Sequence, residues 1–137
     1  MSTENSSSDQ LKVEQYFAAI DAVDVDGAIA LFAEGAEFVR PAMDAKGRLT
    51  GGAEVLTGRT AIHEYLVARG AMPYRHRVVR RARGEGMEYL DGIVAGGPGG
   101  PQVVFFARAA IDGDGLITRY DASAMALGAG MTDQLVG

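Results

Sequence analysis

The sequence predicts an α+β fold, with three helices packed on one face of a curved, mostly antiparallel sheet, so that the whole resembles a cone around a pocket. Three observations carry this expectation. Apolar residues recur at helical spacing through much of the first half of the chain, while the second half reads as strands joined by tight turns. Those turns are marked by glycine pairs and an Asp-Gly reversal, the strongest short hairpin signals a sequence offers. At 137 residues the chain is long enough to bury a core without disulfides. The expected organisation is a disordered lead-in over residues 1–8, one domain over residues 9–126, and a tail or lid over residues 127–137.

Each element has its own signal. Ser8 and Asp9 can cap a first helix that carries Val13, Tyr16, Phe17 and Ile20 on one stripe and ends near Ala22. Asp24 can cap a second, through Ala28, Ile29, Leu31 and Phe32, that ends at Glu34 and Gly35. Residues 36–40 read as a short strand stopped by Pro41, because proline lacks the amide a ladder needs. Residues 42–57 hold several charges and glycines and read as a loop with at most a weak strand. A third helix follows Gly58 over residues 59–69, with Ile62, Tyr65, Leu66 and Val67 as its buried stripe. Four strands complete the chain: residues 74–83, 87–95, 102–111 and 116–125.

Composition excludes several classes. The sequence has no cysteine, so disulfides, thiolate metal sites and thiol catalysis are out, and a reducing cytoplasm is compatible. The net charge of −5 argues against a nucleic-acid binder, and no apolar run approaches the length of a membrane span. His63 and His76 stand in no HxH or HxxxH spacing, so no metal site is expected.

The strand over residues 74–83 has two unlike faces. Period two puts Arg75, Arg77, Arg81 and Arg83 on one side and Tyr74, His76, Val78, Arg80 and Ala82 on the other. Four arginines belong in solvent or in ion pairs, so His76 is expected to face inward, either as a filled core position or as a general base. Asp91 shares its strand face with Met87, Tyr89 and Ile93, where a carboxylate needs a partner or a wet pocket.

Residues 13–21 and 24–34, including Tyr16, Phe17, Asp21 and Asp24, closely resemble the opening of nuclear transport factor 2-like proteins. Gly58-Arg59-Thr60-Ala61-Ile62 and the closing residues 114–120 match two further landmarks of that superfamily. Within it the chain is similar to ketosteroid isomerases, SnoaL-like polyketide cyclases and limonene epoxide hydrolases. The resemblance implies a cofactor-free acid–base enzyme (isomerase, cyclase, lyase or epoxide hydrolase) acting on a small hydrophobic molecule. It also implies homodimers paired through the outer faces of their sheets, with the arginine row opposite acidic residues. A non-catalytic binding domain is the alternative on the same scaffold.

Each activity implies its own residues. The ketosteroid isomerase set keeps Tyr16, but its base position falls on Arg40 and its acid position near Ala107. The epoxide hydrolase set implies Asp121 and Asp91 around one water, with Tyr89 where the bridging arginine would stand and Arg108 or Arg119 as a substitute. The dehydratase-like set implies a dyad of His76 with Asp21. The candidates are therefore Asp121, Asp91, His76 and Asp21 for chemistry, and Tyr16, Arg40, Tyr89, Phe105 and Arg108 for holding a substrate.

Overall fold

The computed structural model describes residues 10–45, 49–71, 75–95 and 102–126. Val13, Tyr16, Phe17 and Ile20 are all buried and form the inner stripe of helix α1, Lys12–Asp21. The expected cap at Ser8 and Asp9 lies outside the described residues, as do the lead-in and the tail. The observed helix start is held locally, where Glu14 accepts from the Leu11 amide at 2.9 Å, and also from far along the chain. The buried Glu88 carboxylate accepts hydrogen bonds from the amides of Lys12 (2.9 Å) and Val13 (3.1 Å). Negative charge at a helix N-terminus is favourable, and these two amides satisfy a carboxylate that would be costly to bury alone.

Helix α2, Val25–Ile29, is capped by the Asp24 side chain, which accepts from the Gly27 amide at 3.0 Å. It is shorter than its apolar pattern predicts, because Phe32 is fully buried and already belongs to strand β1, Phe32–Met43. Burying a phenylalanine side chain is worth about 2–3 kcal/mol, more than one added helical turn would contribute.

Two further expectations fail here. Strand β1 runs through Pro41, and the region read as a loop contains strand β2, Leu49–Thr57, paired antiparallel to it. Strand β1 pairs with β6, Ile117–Ala126, only as far as Val39 opposite Asp121. Beyond Val39 the strand has β2 alone beside it, and the register shifts between Pro41 and Met43. Pro41 therefore stands where one ladder has already ended, a place that tolerates a missing amide. Strand β2 has little alternation to read because it is an edge strand, with only Leu49 and Leu56 partly covered.

Helix α3, Arg59–Arg69, has the expected bounds and buries Ile62 and Leu66, while Val67 turns out to solvent. Strands β3 (Arg75–Gly84), β4 (Met87–Ala95), β5 (Gln102–Ile111) and β6 form a consecutive antiparallel meander. The full sheet order is β2-β1-β6-β5-β4-β3, curved and unclosed, with β1–β6 its one parallel pair among the described residues. All three helices cover one face, meeting Phe38, Leu90, Phe105, Ala107, Ala109 and Tyr120 there. The other face is open.

The simple alternation expected for β3 breaks in its middle. His76 pairs with Val94 and Val78 with Gly92, but the next pair is Arg80 with Asp91, leaving Val79 as an extra residue. Such a bulge reverses the inside–outside order beyond it. Arg80, expected inward, lies on the open face beside Asp91. Arg81, expected outward, reaches the helices and binds Glu14 of α1 at 2.7 Å. His76 precedes the bulge and keeps its inward aim, while Tyr74 lies outside the described residues. Among the described residues no helix is long and apolar enough to cross a membrane.

Candidate functional site

Asp21 is the last residue of α1 and His76 the second of β3, and packing of that helix on that strand brings them together. His76 Nδ1 lies 2.9 Å from Asp21 Oδ1. The backbone amide of His76 donates to the other oxygen, Oδ2, also at 2.9 Å. One carboxylate thus holds both the ring and the main chain of the same residue. The two side chains are 12% and 14% exposed, so the pair sits at a rim and not in the deep core. With Nδ1–H donated to the carboxylate, the basic lone pair of the neutral ring is on Nε2.

Aromatic rings fix the imidazole further. It stacks on Phe17 at 4.3 Å between centroids and an interplanar angle of 3°, and meets the edge of Phe105 at 5.7 Å. Phe105 owes its place to Gly92. A Cβ added there would stand 2.1 Å from the Arg77 carbonyl oxygen and 2.7 Å from the Phe105 ring. Burial pulls the His76 imidazole below its ordinary pKa; the hydrogen bond and charge of Asp21 push the other way, and Arg69 adds to the lowering. Burial wins, so the ring is neutral at pH 7.

Behind the dyad the helix-covered side is filled by Tyr16, Phe17, Phe32, Phe38, Phe105 and Tyr120, packed edge to face or tilted. Burial raises the phenols of Tyr16 and Tyr120, so both stay protonated and can only donate or accept hydrogen bonds. Arg40 lies over the Tyr65 ring at 4.7 Å and pairs with Glu54. The turn after Asp21 is strained: Val23 holds φ +58°, a left-handed conformation that β-branched residues rarely adopt.

The open face carries a groove of about 830 Å³, lined among others by Arg80, Tyr89, Asp91, Phe106, Arg108 and Asp121. Its carboxylates are neutralised. Asp91 accepts from Arg80 at 3.4 Å, and Asp121 accepts from Arg108 at 3.1 Å and from Arg119 at 3.0 Å. Burial would raise the Asp121 carboxyl, but the hydrogen bonds and charges of Arg119 and Arg108 outweigh it and hold the group below its usual range. The groove and the histidine dyad therefore lie on opposite faces of one sheet.

No protein-family profile and no curated protein sequence matches this chain. Solved structures do match. A provisionally named ketosteroid isomerase from Kribbella flavida is 16% identical, covering 86% of this chain and 76% of its own, with a TM-score of 0.62. A provisionally named polyketide cyclase from Sinorhizobium meliloti is 24% identical, over 85% of this chain and 98% of its own, with a TM-score of 0.63. A nuclear transport factor 2-like protein of unknown function from Burkholderia xenovorans is 14% identical, over 92% and 91%, with a TM-score of 0.64. The fold is nuclear transport factor 2-like. At these identities the likeness is one of fold.

Within the nuclear transport factor 2-like fold, the sequence candidates separate into two groups. His76, Asp21, Phe105, Tyr16 and Arg40 lie on the helix-covered side. Asp91, Asp121, Tyr89 and Arg108 lie on the open face. Asp91 is level with Phe106 and Ser123, two strands across and two residues along from Asp121. That offset puts their Cα atoms roughly 12 Å apart; both line the same groove, and each carboxylate is held by arginine. Sequence reading missed Arg69, the last residue of α3, whose charge reaches His76, Tyr16 and Tyr120 together. Its spacing of three, four and seven from Leu66, Tyr65 and Ile62 was the available signal, since these put it on the buried stripe.

Proposed function

We propose that this protein is a SnoaL-like lyase or isomerase acting by acid–base chemistry on a small hydrophobic carbonyl compound. The observation that carries the reading is the two-point hold of Asp21 on His76. A carboxylate on Nδ1 fixes the tautomer and stabilises the imidazolium that forms when Nε2 takes a proton. A neutral ring at pH 7 is available as a base without prior deprotonation.

The step is redox-neutral. His76 removes a proton from a carbon next to the carbonyl, and the C–H electrons move to the carbonyl oxygen as an enolate. In a lyase the enolate re-forms the carbonyl and expels a group from the adjacent carbon. A departing hydroxide takes the proton from His76 and leaves as water. In an isomerase the same proton returns to a different carbon. Phe17 and Phe105 offer the substrate an apolar wall beside the base. Steroid enones and β-hydroxy ketone polyketide mimics are the substrates to screen. His76→Ala should lower turnover about 10²- to 10⁴-fold, and Asp21→Asn should lower it as well. Turnover that survives His76→Ala rejects this reading.

A second reading concerns the open face, where Val55, Tyr89, Phe106 and Met125 are each 46% to 57% exposed. These side chains, set among alternating arginines and aspartates, suit a second copy of the same chain, as the homodimer expectation has it. Sedimentation of the parent and of Phe106→Glu tests it: a dimer in the parent and a monomer in the variant is expected. A monomeric parent at high concentration removes the reading.

A further inference from the structure

Strand β3 is the last strand of the sheet and pairs only with β4, so one side of its backbone is a free edge. Two observations tell which amides face that edge. Glu85 and Gly86, at φ +55° and +77°, make a two-residue hairpin closed by Gly84 and Met87, and a closing pair of this kind is hydrogen-bonded. Alternation back along the ladder then turns the amides and carbonyls of Arg83 and Arg81 away from β4. On the far side of the bulge the His76 amide points outward to Asp21, and the same alternation turns Val78 outward. Asp21 thus occupies the first part of the edge, and the stretch from Val78 to Gly84 is left.

The charge on this edge is one-sided. Strand β3 carries five arginines and no carboxylate, in a chain of net charge −5. The bulge divides them between the faces. Arg75, Arg77 and Arg80 stand on the open face, level with Ala95, Ile93 and Asp91, whereas Arg81 and Arg83 stand on the helix-covered face, level with Leu90 and Glu88. Asp91 binds Arg80 and Glu14 binds Arg81, but Arg77 and Arg83 are exposed and have no ion pair among the described residues. Charges do protect a sheet edge from stray pairing. Protection alone does not account for this row, because the opposite edge, β2, has a single charged side chain, Glu54, already matched by Arg40.

We infer that the edge of β3 from Val78 to Gly84 is a docking strand for an extended acidic segment of another protein, which joins the six-stranded sheet as a further strand. The ladder groups of Val78, Arg81 and Arg83 supply attachment, and the arginines supply selection. An added strand presents its side chains to the two faces in turn, so it meets Arg77 and Arg80 with one set and Arg81 and Arg83 with the other. The matching pattern is carboxylates at successive positions, not at alternate ones. A lipid surface or a phosphate backbone would meet one row of arginines and leave the ladder groups unused. A second copy of β3 would set arginine against arginine, which is unfavourable. Docking here is independent of chemistry at His76, whose own edge amide is already taken.

Three end-blocked peptides of about ten residues test this, with the length set by the reach of one strand. One has pairs of glutamates between threonines; the second replaces each glutamate by glutamine. The third is the acidic peptide N-methylated at successive central residues, which keeps the charge and blocks both edges of the strand. Calorimetry with the full chain should show saturable binding of the first, weakened about tenfold or more by either change. The double variant Arg77→Glu, Arg83→Glu should weaken it to a similar extent, about tenfold. Amide hydrogen exchange locates the contact. In the complex the amides of Val78, Arg81 and Arg83 should become protected, while that of Ala82, already bonded to β4, should not change. If the double variant does not fold, the exchange pattern of the parent still decides. No saturable binding, equal binding of the N-methylated peptide, or unchanged exchange at those three amides would overturn the inference. So would equal competition by oligodeoxythymidylate or by phosphatidylserine vesicles, which would mark a general polyanion surface.

Discussion

The two faces of the sheet hold similar residue types and use them in opposite ways. On the open face every carboxylate named here is matched by an arginine, Asp91 by Arg80 and Asp121 by both Arg108 and Arg119. On the helix-covered face Asp21 is matched by a neutral imidazole at a part-buried rim. An arginine-bound carboxylate is a poor base, because the cation stabilises the very charge that would have to be given up. A carboxylate bound to histidine improves its partner as a base. What separates a solvated ion pair from a candidate site is thus the partner and the burial, not the carboxylate.

Mutations across the two faces sharpen that contrast. The largest effect should come from His76→Ala, with about a hundredfold loss or more, against a change within about twofold for Asp121→Asn, whose charge lies on the other face. Equal losses in the two would erase the distinction. The pH profile follows from the depressed His76 pKa: activity should rise through a midpoint below the ordinary imidazole value and be level above it. The same depression makes His76 contribute stability that is fully present above about pH 6.5 and is lost as the pH falls toward the folded pKa.

Next in size should be Gly92→Ala. The added methyl meets backbone as well as the Phe105 ring, and a destabilisation of about 3 kcal/mol is expected from urea melts. Glu88→Ala should follow, at about 2 kcal/mol, because it strips two amides of α1 of their acceptor. It should also loosen the Asp21 end of the helix, which hydrogen exchange at His76 would register. Smaller and of opposite sign is Val23→Asn, expected to raise stability by about 1 kcal/mol through relief of the left-handed valine. Smallest is Asp91→Asn, below about 1 kcal/mol. Were it to exceed Gly92→Ala, the open face would be more than a solvated surface.

Much of this was legible in the sequence. The meander, the third helix and the inward aim of His76 follow from local periodicity, and the dyad with Asp21 follows from resemblance. The failures were non-local. Nothing near Val79 announces a bulge, since the extra residue is defined only by its pairing with β4. Pro41 reads as a strand stop unless one knows that the β6 ladder has already ended. Asp91 and Asp121 share a parity within their strands, but parity does not say which face the helices cover. Glu88, at position 88, gives no hint that it will cap a helix starting at Lys12.

The one parallel strand pair joins Phe38 to Tyr120, and the dyad joins positions 21 and 76. Both are long loops to close, whereas the β3–β6 meander is built from neighbours in sequence. Contacts distant along the chain are slow to form. Refolding should therefore yield a meander first, already bearing His76 but lacking its carboxylate, and only later a chain with α1 docked. The Nδ1 hydrogen bond would then be among the last contacts made, so that recovery of function lags recovery of β-sheet signal. In such a protein a closed His76–Asp21 pair is itself a marker that the first helix has met the sheet.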